Sequence, residues 1–162
     1  MSSTSSNKTE VVPPFVSANL IQTRLVDERI TSAPVQSSTE PKPVQLKAET
    51  TTTFAVALDN PKTPSRVLIE LEYLVTLRID ESDFVIADYK AKHASEFKII
   101  SWHGFEDWTQ VPQSSLVPYF AMSHNVALRR AQRTLLDMGF GTVVLPVLTE
   151  FIPSSSASTA EV

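Results

Sequence analysis

The strongest pattern in the chain lies over residues 67–79. Val67, Ile69, Leu71, Tyr73, Val75, Leu77 and Ile79 alternate with positions that include Glu70, Glu72, Thr76 and Arg78, the period of two expected of a half-buried strand. Leu68 and Leu74 interrupt the polar side. A face meant only for water does not need them, so the second face is expected to touch something. Three weaker alternating stretches predict three further strands. Over residues 19–31, Leu20, Gln22, Arg24, Val26, Glu28 and Ile30 fall on one face and Ile21, Thr23, Leu25, Asp27 and Arg29 on the other. This imperfect split suits a sheet edge or an interface. Over residues 44–58, Val44, Leu46, Ala48, Phe54, Val56 and Leu58 point inward, and the β-branched run of Thr50 to Thr53 disfavours a helix. The fourth strand starts at Phe84 and continues, with a bulge, to Ile100. Pro34, Pro41 and Pro43 punctuate the connection over residues 32–43. Residues 59–64 form a turn, and residues 80–83 form a tight polar turn that predicts an antiparallel hairpin. Sequential pairing makes these strands a meander, and a chain with three Gly favours an extended sheet over a barrel with glycine corners.

The period then changes. Over residues 116–138, Ala121, Leu128, Ala131, Leu135 and Met138 form an apolar helical stripe, widened by Met122 and Val126. Ser114 or Ser115 is placed to cap this helix, Pro118 falls in its first turn, and Gly139 is placed to end it. A short apolar segment, residues 143–148, follows. The Ser-, Thr- and Pro-rich residues 1–14 and 153–162 lack periodicity and are expected to be tails flanking one ordered domain over residues 15–152. The fold class is α+β: a four-stranded antiparallel meander sheet, one long helix and a short apolar C-terminal segment. One helix covers only part of such a sheet, so the remaining apolar surface calls for another subunit, a client, or both. A homo-oligomer is expected.

Composition narrows the function more than it defines it. The 162 residues carry a formal charge of −4, so no basic field favours nucleic acid. Arg129, Arg130 and Arg133 are instead expected to pair with Asp or Glu of a neighbouring strand or subunit. Without Cys there are no disulfides and no thiolate ligands. The polar residues 1–9 do not read as a secretory signal, and no apolar run reaches the roughly 20 residues of a membrane span. The expectation is a soluble, cytoplasmic protein without membrane insertion. His93, His103 and His124 show no metal-ligand spacing, the acidic turn around Asp80 and Asp83 matches no calcium loop, and Gly139 with Gly141 is too little to cradle phosphate. No metal, no cofactor and no catalysis are expected.

The order of parts, together with Leu128-Arg129-Arg130-Ala131 through Leu135, Gly139-Phe140 and the apolar Val143 to Val147 with Pro146, resembles the SecB export chaperone family. The resemblance implies an ATP-independent holdase that binds unfolded or pre-export polypeptides. It also implies a dimer of dimers with helices between two sheets, and an export motor ATPase as partner. The chain departs from the family's pattern in having little sequence for a second C-terminal helix. The acidic candidates for motor docking, Asp27, Glu28, Glu70 and Glu72, sit in no family motif. An alternative is a dedicated oligomeric adaptor, or a toxin–antitoxin-associated chaperone, holding one partner. Under the chaperone reading, Trp102, Phe105, Trp108, Leu68 and Leu74 are the candidate peptide-binding residues, and Leu128, Leu135, Met122 and Val126 the candidate interface. For the two Trp there is a plainer alternative, that they plug the gap between helix and sheet.

Overall fold

The computed structural model describes residues 14–33, 45–80, 82–141 and 143–146. The two predicted tails lie outside them apart from Pro14, and so does the end of the apolar C-terminal segment. The described elements are β1 (Phe15–Ser32), β2 (Leu46–Leu58), β3 (Arg66–Ile79), β4 (Val85–His103) and α1 (Val117–Asp137), with 3-10 turns at Trp108–Gln110 and Gln113–Leu116. The strands form one antiparallel sheet followed by one long helix, the expected α+β architecture.

The strand order is β1-β4-β3-β2. β2, β3 and β4 form the predicted meander, but β1 pairs with β4 and not with β2. Pairing across β4 places the strands with the strictest alternation, β3 and β4, in the middle, where both edges are covered. β1 becomes an edge. Its imperfect alternation has a structural cause: register shifts between Leu20 and Gln22 and between Leu25 and Asp27 each insert one extra residue. Every such bulge reverses the face of all residues beyond it. Leu20, Thr23, Leu25, Glu28 and Ile30 thus all lie opposite β4 residues that face the helix, respectively Phe97, Ser95, His93, Ala91 and Tyr89. The uninterrupted split into odd and even positions is corrected accordingly. A shift opposite Ser17 and Ala18 skips Ile100 on β4, and the strand runs on to His103.

α1 lies over β3 and β4. Ala127 and Ala131, with no measurable exposure, let the helix approach the sheet closely, and Leu128 and Leu135 interlock with Leu71, Tyr73, Val75, Leu77, Tyr89 and Ala91. A second cluster joins Val16, Val67, Ile69, Phe97 and Ile99 to Trp108, Leu116, Tyr119 and Phe120. The start of α1 differs from the expected serine cap. Ser114 and Ser115 sit inside the preceding 3-10 turn, and Leu116 occupies the cap position without a side-chain hydrogen bond. The continuous passage from 3-10 to α turns leaves the serines no orphan amides at that end to satisfy, and Pro118 contributes none. The other end follows expectation. Gly139 takes φ +87°, its N–H donates to the Leu136 carbonyl and the Phe140 N–H donates to the Leu135 carbonyl, a paired closure that requires a left-handed residue.

Candidate polypeptide-binding surface

The aromatic segment after β4 is built as a plug. Gly104 turns the chain at φ +85°, and a Cβ there would meet Pro14 at 3.0 Å. Asp107 accepts from the Thr109 N–H at 2.8 Å and so sets the turn that holds Trp108. Trp108 is 7% exposed and meets Trp102 edge to face at a centroid distance of 5.9 Å. Trp102 and Phe105 pack half-buried against the same cluster. Of the two readings for these residues, the structure places Trp108 in the plug.

Leu68 and Leu74 lie elsewhere. They are half-buried on the sheet face away from α1, Leu68 between Ala57 and Glu96 and Leu74 between Thr51 and Lys90. The five candidate binding residues are therefore split between two faces and do not line one groove within this chain. The interface candidates divide too. Leu128 and Leu135 face the chain's own sheet and are corrected to core residues, since the helical stripe points inward there. Met122 and Val126 stand on the opposite side of the helix and are exposed.

A large share of the exposed apolar side chains sits on β1. Phe15, Leu20, Ile21, Leu25 and Val26, each at least 39% exposed, all belong to this edge strand, and Val117, Met122, Val126 and Leu136 are exposed on α1. Leu20 and Leu25 lie on the helix-facing side of β1 and are still 41% and 39% exposed. The sequence reading missed them as site residues because the bulges that place them there leave no clear mark in the periodicity. An edge strand also presents unpaired backbone N–H and C=O groups outward, so β1 offers hydrogen bonds and apolar contacts along one line.

Polar contacts pin this edge to the helix. Glu28 accepts from Arg130 at 3.0 and 3.2 Å, from the Tyr89 hydroxyl at 3.0 Å and from Thr134 at 3.2 Å. The Arg130 bond, ahead of the opposing effect of burial, holds the Glu28 carboxyl below its ordinary range. The expected pairing of the arginine cluster with a neighbouring strand is thus made by Arg130. The Tyr119 hydroxyl donates to the Val16 carbonyl and accepts from the Ala18 N–H beside a register shift. His93 and His124 are 3% and 2% exposed, and Nε2 of the first and Nδ1 of the second have no hydrogen-bond partner among the described residues. Burial holds both imidazoles below their ordinary pKa.

The four acidic docking candidates are each neutralised within the chain. Asp27 meets Arg29 at 3.1 Å, Glu28 meets Arg130, Glu70 meets Lys92 at 2.9 Å and Glu72 meets Lys90 at 2.6 Å. No single acidic field arises from them. No described helix is long and apolar enough to cross a membrane.

By sequence, no family model and no curated protein matches the chain. By structure, the chain is similar to the Mycobacterium tuberculosis Rv1957 SecB-like chaperone, solved in complex with a ChAD peptide from the Rv1956 HigA1 antitoxin. The TM-score is 0.63 at 12% identity, over 82% of this chain and 90% of that one. At that identity the likeness is one of fold, and the fold of this chain is SecB-like.

Proposed function

We propose that this chain is an ATP-independent, cytoplasmic chaperone that holds non-native polypeptide by binding alone, without catalysis. One observation carries the reading: the open β1 edge combines outward backbone hydrogen-bonding groups with a row of exposed Phe15, Leu20, Ile21, Leu25 and Val26. An extended, unfolded segment satisfies both demands at once, pairing as an added strand while its side chains cover the apolar row. The same edge suits a second copy of the chain, and a homo-oligomer joined along β1 belongs to the proposal. The SecB-like fold supports it.

The test is refolding of several unrelated denatured proteins, without nucleotide, in the presence of the purified chain. Retardation across clients, with no effect on the same proteins already folded, is the expected result. Retardation of none refutes the holdase.

A second reading has its own support. Asp27, Glu28, Glu70 and Glu72 are each paired within the chain and so are not free for an export motor, and the similar chaperone was solved with an antitoxin peptide. Under this reading the chain is a dedicated adaptor for one partner, and client selectivity separates the two.

A further inference from the structure

Leu68 belongs to neither core cluster and is half-buried on the sheet face away from α1. It lines a cavity of about 340 Å³, to which Leu68, Leu58 and Ala57 supply the apolar part and Arg24, Arg66, Asp59 and Glu96 the polar part. Both carboxylates are already spent. Glu96 accepts from Gln22 and from Arg66 at 2.8 Å each, and Asp59 accepts from the Ser65 and Arg66 N–H groups at 2.9 and 3.0 Å. Two neighbouring cations are not. Among the described residues Arg24 has no ion pair, and neither has Lys98, which stands opposite Arg66 in the β3–β4 register. Further along the same face the charges pair off, Glu70 with Lys92 and Glu72 with Lys90. Unspent positive charge and uncovered apolar surface thus meet at one end of the outer face.

This face stays open in a homo-oligomer, whether copies join along β1 or pack their helices between two sheets. Charge then decides which partner fits. A second copy docked about a two-fold axis through the cavity would bring Arg24, Arg66 and Lys98 onto their own images, repeating like charge. A basic segment would find the carboxylates of Glu96 and Asp59 already occupied. Nucleic acid would meet Arg24 and Lys98, but its closely spaced phosphates would also run over Glu70 and Glu72 on the same face, on a chain of net charge −4. A polypeptide segment with carboxylates on either side of an apolar side chain meets both needs at once. We infer that the cavity docks such a segment of a partner polypeptide, its apolar side chain against Leu68, Leu58 and Ala57 and its carboxylates on Arg24 and Lys98. This contact is distinct from the holding of unfolded chains at β1 and does not rest on it: it lies on the opposite side of the sheet from α1 and selects by charge.

The probes are a fluorescent peptide with one Leu flanked by Glu on both sides, a counterpart with Lys in place of Glu, a third with Gly in place of Leu, and a short DNA duplex. The chain is expected to bind the Leu–Glu peptide at least tenfold more tightly than the Leu–Lys one, with affinity falling as salt rises. It should also prefer the Leu–Glu peptide to the Gly–Glu one, and Leu68→Gln should abolish that preference. Arg24→Glu with Lys98→Glu should lose at least tenfold in affinity for the Leu–Glu peptide while keeping the assembly mass and the thermal transition. Should that variant fail to fold, Arg24→Gln with Lys98→Gln carries the same comparison with a smaller loss. Leu20→Thr with Leu25→Thr should leave the affinity unchanged; a loss there would place the peptide at β1 and overturn the inference. Equal affinity for the Glu and Lys peptides, unchanged binding by the charge variant, an undiminished preference for Leu in Leu68→Gln, or tighter binding of DNA each overturns it as well. Failure of the parent chain to retard refolding refutes the holdase reading and leaves this test intact.

Discussion

Replacing Trp108 separates a plug from a binding residue. The side chain is 7% exposed and is enclosed by a cluster that includes Val16, Val67, Ile69 and Phe97. Trp108→Ala removes nearly all of that burial and leaves a cavity, which costs about 3–5 kcal/mol. A domain of ordinary stability has about 5–15 kcal/mol in total, so the variant stays folded at low temperature but melts early. At about 2–4 °C per kcal/mol for a chain of this size, the midpoint falls by about 6–20 °C. Trp102 is half-buried against the same ring, so Trp102→Ala is expected to cost about half as much. The assay pairs thermal unfolding followed by circular dichroism with retardation of client refolding, the latter well below the variant's midpoint. Trp108→Ala is expected to hold clients normally under those conditions. A midpoint lowered by less than about 2 °C, together with client binding weakened tenfold or more, would refute the plug and restore Trp108 to a binding groove.

Further outcomes follow from the same geometry. Leu20→Thr with Leu25→Thr should weaken client binding by about 5- to 50-fold in a titration. About two-fifths of each side chain is still exposed, and full burial of a Leu is worth about 1.5–3 kcal/mol; unchanged affinity would move the site away from β1. Leu135→Ala, at a position with no measurable exposure, should cost about 2–5 kcal/mol in chemical denaturation without altering assembly mass by light scattering; the reverse pattern would return Leu135 to an interface. His93 and His124 have folded pKa values lowered by burial from 6.5, so the unfolded state takes up protons first as pH falls. Stability should hold above about pH 6.5 and decline below it, and His93→Gln with His124→Gln should flatten denaturation midpoints below about pH 6.5. Glu28, lowered from 4.5, adds a loss only in more acid solution, so a decline that persists unchanged in the double variant would clear the histidines.

Much of the scaffold was legible because its signals are local. The strict alternation of Val67 to Ile79 needs no knowledge of its neighbours, since a two-residue period and two dissimilar faces already describe a central strand. The stripe from Ala121 to Met138 and the glycine at 139 likewise define a helix and its end. The candidate site was less legible. Trp102 and Trp108 look alike in sequence, yet the turn set by Gly104 and Asp107 buries the second more deeply. Leu128 and Met122 both belong to an apolar helical stripe, yet one faces Tyr73 and Tyr89 and the other faces solvent. Periodicity identifies a helix face without saying what lies against it.

By itself the amino-acid sequence determined the four strands, the helix with its glycine stop, the α+β class and the excess of apolar surface over what one helix covers. Those features rest on backbone preference and side-chain spacing within a dozen residues. Only the tertiary structure decided that β1 lies against β4, that Leu20 and Leu25 share the helix-facing side, that Arg130 is committed while Arg129 is not, and that the acidic candidates are paired. Apart from the Asp27–Arg29 pair, each of these depends on partners far apart in the chain. Two single-residue bulges reverse the faces of β1, and a salt bridge such as Arg130 to Glu28 spans 102 positions. Long-range pairing carries no local period, so it leaves its mark in space and not along the chain.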